Sequence, residues 1–309
     1  AAGLLAAAVL HIQLSHYFAV DTIQALFAVV ALFFMYRVAR HGGIGSSALA
    51  GLFMGLGLAT KASQLPIFLA FGVAQFMYLF NLAGRDNGAS EDFSTRLRTV
   101  TLGSVTGLTV AFVAFFIAQP YALLDWSRYR ADFTEQSEMV RRIRDYPYTR
   151  QYADTVPYWY FIRQNAVWGL GLPLGLLAWG GGLFVAVWGL SWRHALGYLA
   201  LGLVLPGAIL VWSNSIATVA LAATIATLML VATLPLRRVD TRIEVLFLAW
   251  VVPYFLITGA FEVKFMRYMI PITPFLVLFG SRLVFAIWEQ TKQQFVRFRN
   301  GRHLRHARW

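Results

Sequence analysis

Three places along the chain set polar or ionisable side chains at the ends of apolar runs, where such groups are costly to hold and tend to be kept for a task. In the turn from His11 to Asp21, His16 and Asp21 fall within reach of a hydrogen-bonded pair, flanked by Tyr17 and Phe18. The pair Asp21-Thr22 serves equally well as the start of the following helix. Lys61 follows a run in which Gly51, Gly55 and Ala59 recur at spacing four, a smooth face for close packing, and it has Thr60 and Ser63 as nearby hydroxyls. A compact ammonium with three donors suits the phosphate of a lipid. A lysine that simply snorkels to the headgroups would look the same.

The third place is the segment 119–164. From Asp125 to Arg144 the residues Trp126, Tyr129, Phe133, Val140 and Ile143 recur near helical spacing, with charged residues on the other faces, which predicts an amphipathic helix lying on the membrane surface. Pro147 and Pro157 then predict an extended stretch in which tyrosines, Tyr152 among them, and Trp159 line a surface with Arg144, Arg150 and Arg163. Aromatic faces stack on sugar C–H faces and arginine pairs bidentately with phosphate, so the mixture fits a lipid-phosphate sugar. The interfacial aromatic belt of any membrane protein accounts for it too.

The elements that position these groups are apolar runs. The chain is 59% hydrophobic and only 13% charged over 309 residues, with mean hydropathy +0.61, a composition of integral membrane proteins. At about 20 residues per crossing, ten spans are expected near 1–15, 17–38, 43–60, 65–83, 99–118, 165–189, 195–212, 215–235, 243–261 and 270–288. The fold class is thus all-α and polytopic, with 1–288 as one transmembrane domain and 289–309 as a basic cytoplasmic tail.

Basic residues sort by side. Arg37, Arg40, Arg85, Arg96, Arg98, Arg193, Arg237, Arg238, Arg242 and the tail fall in one set of alternate loops, which places that set in the cytoplasm. The opposite face, carrying Asp21, Lys61 and 119–164, is the working face, directed outward. The formal charge of +12 follows from topology and anionic headgroups, so lipid rather than nucleic acid is the expected partner. The 84–98 linker reads as a solvated loop.

The chain has no cysteine, which removes disulfides and cysteine-based zinc sites. His11, His16, His41 and His194 fall on different sides, and His303 and His306 lie in the tail, so no metal site is expected. It opens at Ala1 inside an apolar run without a basic leader, and reads as a fragment with upstream spans missing.

Taken in order, His16-Tyr-Phe-Ala-Val-Asp21, Gly57-Leu-Ala-Thr-Lys61, Gln119-Pro-Tyr-Ala122 and the run from Phe261 through Lys264 and Arg267 to Phe275 resemble the bacterial glycosyltransferases of family 39. These are relatives of the dolichyl-phosphate-mannose protein mannosyltransferases, with the GT-C membrane fold. The resemblance covers most of the chain, and its specificity lies in the four motifs together. It implies transfer of a sugar from a polyprenyl-phosphate carrier, without a further cofactor, to a glycan, lipid or protein acceptor at the outer face of the bacterial plasma membrane. His16 and Asp21 match the family's outer polar pair, Lys61 the lysine after the small-residue helix, and Lys264 and Arg267 the basic pair before the last matched span. Basic groups there would hold the donor phosphate and stabilise it as it leaves.

Deprotonating the acceptor needs a carboxylate. The family carries an acidic pair in its first outer loop, and none precedes His11 here. The base is therefore expected upstream of Ala1, with Asp21 and His16 assisting. The other reading is a non-catalytic subunit of the same ancestry, packed against neighbouring subunits of a larger membrane complex, for example a photosynthetic or respiratory one.

Overall fold

A computed structural model of the chain describes residues 1–84, 91–212 and 215–306. Arg85, part of the 84–98 linker, Asn214 and residues 307–309 of the tail lie outside the described residues. Every element among the described residues is a helix. Six are long and apolar enough to cross a membrane: Val20–His41, Ala62–Leu79, Phe93–Ala118, Ala217–Leu236, Val239–Gly259 and Met266–Phe295. Two further apolar helices, Ile44–Thr60 and Leu172–Val187, are shorter. The protein is all-α and built for a bilayer, where only helices or closed barrels satisfy every backbone polar group.

The order is α1 (Ala2–Ala6), α2 (Val9–His16), α3 (Val20–His41), α4 (Ile44–Thr60), α5 (Ile67–Leu79), α6 (Phe93–Ala118), α7 (Tyr121–Leu124), α8 (Trp126–Val140), α9 (Trp159–Gln164), α10 (Leu172–Val187), α11 (Trp192–Trp212), α12 (Ile216–Ala232), α13 (Glu244–Gly259) and α14 (Thr273–His306). Nine of the ten expected runs are each covered mainly by one long helix. The run 1–15 differs: it is two short helices parted at Ala7–Ala8, where Ala8 is extended (φ −71°, ψ 109°). No side chain accounts for this break, since alanine is the best helix former.

Small residues let the helices approach. A Cβ on Gly51 would collide with the carbonyl of Gly107, and one on Gly55 with that of Ala111, so the spacing-four face of α4 packs directly on the α6 backbone. Gly181 of α10 meets the backbone of Phe279 and Gly280 in α14 in the same manner. α13 is apolar on all sides and buried along nearly its whole length, with Trp250 and Tyr254 among the largest fully buried side chains.

At the end of the bundle opposite segment 119–164, Arg237 is buried rather than turned to headgroups. Its guanidinium donates to the carbonyls of Val185 (3.0 Å), Trp188 (2.9 Å) and Ala186 and to Thr233 Oγ1 (3.0 Å). These carbonyls close the C-terminal turn of α10, which has no helical partners for them.

Segment 119–164 contains the expected surface helix as α8, whose N-cap Asp125 accepts a hydrogen bond from Arg128 N at 3.1 Å. The following stretch is not extended throughout. Pro147 opens a 3-10 helix, Pro147–Tyr152, at a position where its missing N–H costs nothing, and helix resumes at Trp159. The segment is pinned over the end of α13: Val140 O accepts from Glu262 N (3.0 Å) and Val263 N (3.1 Å), while Tyr158 N donates to Gly259 O (3.1 Å) and its hydroxyl to Leu256 O (3.0 Å).

Candidate functional site

The N-terminus of α3, the C-terminus of α4 and the turn after α13 meet at the end of the bundle that 119–164 covers. Asp21 lies in the first turn of α3, but the N-cap is Ala19 and makes no side-chain bond. Thr22 Oγ1 donates back to Ala19 O at 2.7 Å. The Asp21 carboxylate is thereby left for another partner, in the favourable field of the helix N-terminus. Lys61 Nζ stands 2.6 Å from Asp21 Oδ1, and Asp21 is 1% exposed. Lys61 is therefore not simply snorkelling to headgroups; it closes a partly buried ion pair across two helices.

Two groups from the 3-10 helix Met266–Ile272 complete the cluster. The Lys61 ammonium sits 4.3 Å from the centre of the Tyr268 ring, a cation–π contact. Arg267 Nε is 3.9 Å from Asp21 Oδ2, too far for a hydrogen bond, and its side chain is 50% exposed. Two cations face one carboxylate, so the cluster keeps one positive charge in excess, and the exposed end of Arg267 carries it toward the surface.

Around Arg267 the aromatic residues converge. Phe265 lies under its guanidinium at 4.9 Å, Tyr152 meets Phe265 edge-on at 5.5 Å, Tyr148 stacks on it at 6.4 Å and Tyr268 approaches at 5.6 Å. Tyr152, buried against Tyr160, has its phenol held above the usual tyrosine range by burial, with Tyr160 adding and the Arg267 charge opposing. An anion with a flat, partly apolar neighbour fits such a collar.

The structure thus brings Asp21, Lys61, Tyr152 and Arg267 together, and separates the other expected residues. His16 is exposed and bonds Ile12 O within its own helix at 2.7 Å, so it does not pair with Asp21: its ring is already satisfied one turn back. Lys264 is buried and donates to Glu262 O at 3.0 Å, bracing the 260–265 turn. Burial holds its ammonium below the ordinary lysine value, Glu262 opposing and Arg142 adding. Arg144 pairs with Glu138 at 2.7 Å and Arg150 with Asp145 through hydrogen bonds of 3.2, 3.0 and 2.6 Å. Their charges are matched locally, on side chains 57% and 65% exposed. Among the described residues, no three His, Asp or Glu side chains gather as metal ligands.

Tyr268 and Tyr254 were not singled out by the sequence reading, although Tyr268 adjoins Arg267. Tyr254 lies inside an apolar span, where an aromatic residue reads as core, yet its hydroxyl donates to Tyr268 O at 2.8 Å.

Comparison of the chain with protein-family models, curated proteins and solved structures returned no match. The functional reading therefore rests on the cluster and on the order of the motifs.

Proposed function

We propose that the chain is a membrane glycosyltransferase of the GT-C kind, moving a sugar from a polyprenyl-phosphate carrier to an acceptor at the outer face of the bacterial plasma membrane. Its ten helical runs are then ten spans, with 119–164 as the outer loop and 289–309 as a basic cytoplasmic tail. The observation that carries the reading is the Asp21–Lys61–Arg267 cluster, with one excess positive charge at the end of the spans and an aromatic collar beside it. The excess charge rides on the half-exposed guanidinium of Arg267, where an anionic ligand can reach it from the surface.

In this reading Lys61 and Arg267 hold the carrier phosphate and stabilise the negative charge that grows on it as the bond to the anomeric carbon breaks. Tyr152, Phe265 and Tyr268 offer ring faces to the sugar. The acceptor oxygen forms the new bond and loses its proton to a base. Asp21 is an unsuitable base, because it is buried and its charge is engaged by two cations; its role is to fix them. Arg144 and Arg150 lie outside the donor site, and Lys264 supports it from the 260–265 turn.

The test is donor consumption by the full chain in lipid nanodiscs, given a polyprenyl-phosphate sugar. The wild type should consume it, and K61M and R267M should each lose at least about tenfold, the scale of one electrostatic contact to a developing charge. Retained binding of the carrier with no consumption under any acceptor would favour the accessory-subunit reading.

A further inference from the structure

Below the ion pair runs a second layer of polar groups that none of the steps above uses. Gln24, one helical turn after Asp21, donates from Nε2 to Ser63 Oγ at 2.8 Å. Ser63, two residues after Lys61, lies beside the Tyr254 hydroxyl. Tyr254 in turn donates to the carbonyl of Tyr268 at 2.8 Å, next in the chain to Arg267. One turn earlier in α13, Trp250 Nε1 donates to Pro271 O at 3.3 Å, so two side chains on one face of α13 hold the 3-10 helix Met266–Ile272. Each charged member of the cluster therefore has a residue close in sequence that belongs to the same polar layer: Gln24 for Asp21, Ser63 for Lys61, Tyr268 for Arg267.

This arrangement does something that the ion pair alone cannot. Arg267 touches Asp21 only at 3.9 Å and rests on the Phe265 ring with half of its side chain facing outward, so its place depends on the backbone that carries it. The distance between Lys61 and Arg267 decides whether both reach the same phosphate, and an error of about 1 Å at such a site is costly. Gln24 and Tyr254 are buried, and buried hydrogen bonds resist displacement because breaking one strands a polar group. We infer that Ser63 and Tyr254 are positioning residues, which set the spacing of Lys61 and Arg267 for an anionic lipid phosphate through the polar layer from Gln24 to Tyr268. The inference rests on the donor-site reading above.

The experiment measures affinity of the full chain in nanodiscs for a polyprenyl phosphate without sugar. Y254F and S63A should each weaken binding roughly three- to tenfold, the worth of one hydrogen bond, and S63T should recover most of the loss. Y254F added to R267M should cost nothing further, because its effect runs through Arg267; a general loosening of the fold would instead add. Wild-type affinity in folded Y254F, or additive losses in the double variant, would overturn the inference while leaving the donor site intact. A wild type that binds polyprenyl phosphate no better than a neutral polyprenol, with K61M unchanged, would remove the donor-site reading and the inference with it.

Discussion

Lys61 Nζ stands 2.6 Å from Asp21 Oδ1, and that contact joins the end of α4 to the beginning of α3, 40 residues away in the chain. The two members are unequally placed: 26% of the Lys61 side chain is exposed, against 1% for Asp21. Removing the cation leaves the deeper charge poorly matched, whereas removing the carboxylate leaves cations that can reach water. K61M should thus destabilise more than D21N, by about 3 kcal/mol against roughly half that, and the double variant D21N/K61M should regain part of the loss. Thermal unfolding in detergent orders the three; D21N as the worst of them would contradict the assigned burial.

The glycine face of α4 gives a test of packing that does not involve the site. A methyl group at Gly51 has no room against the Gly107 carbonyl, while at Gly45 nothing lies within 4 Å. G51A should cost about 2 kcal/mol or more, and G45A should be neutral or slightly stabilising, since alanine is the better helix former. Equal effects would mean that α4 and α6 are not in this contact.

These cases show what the sequence makes legible. Long apolar runs announce helices, because burying them demands little beyond length. The glycine spacing announced a packed face, and Lys61 announced itself by standing alone at the end of such a run. The partner of Lys61 was not legible, since a contact between residues 21 and 61 depends on how α3 and α4 pair. Arg144 and Arg150 are paired for a local reason. Their nearest carboxylates, Glu138 and Asp145, sit close in sequence: the turn after α8, where Arg142 has φ 52°, brings Arg144 to Glu138, and the 3-10 turn at Pro147 brings Arg150 to Asp145. An extended stretch would have left both arginines available to a ligand.

Sidedness can be read directly, because the chain has no cysteine and each introduced thiol is unique. Val156 and Val239 are 61% and 54% exposed, at opposite ends of the bundle. V156C should react from outside intact cells, and V239C, beside Arg237, Arg238 and Arg242, only after the membrane is opened. Reaction of both from one side would break the alternation of spans.

Lys264 predicts a pH dependence. Its folded ammonium is held below the ordinary lysine value of 10.5, so between the folded and unfolded values the unfolded chain binds more protons. Stability from this group therefore rises with pH across that alkaline window. Compared with wild type, K264M should show a flatter stability profile there. A wild-type profile no steeper than that of K264M would mean that Lys264 is not desolvated in the 260–265 turn.

The last prediction separates the residues of segment 119–164 by what they touch. Arg144 and Arg150 hold neighbouring carboxylates at the surface, so R144A and R150A should change affinity for a polyprenyl phosphate less than twofold, exposed pairs being weak and far from desolvated. Tyr152 is 6% exposed and packs edge-on against Phe265, the ring beneath Arg267. Y152A removes that wall, lets Phe265 shift and loosens the support of the guanidinium, so affinity should fall by roughly tenfold, while Y152F should keep most of it. The ratio of the two effects is the readout, measured on the full chain in nanodiscs. Losses from R144A and R150A as large as from Y152A would mean that the surface arginines leave their carboxylates for the lipid, and the donor would then have to lie across α8 rather than over Arg267.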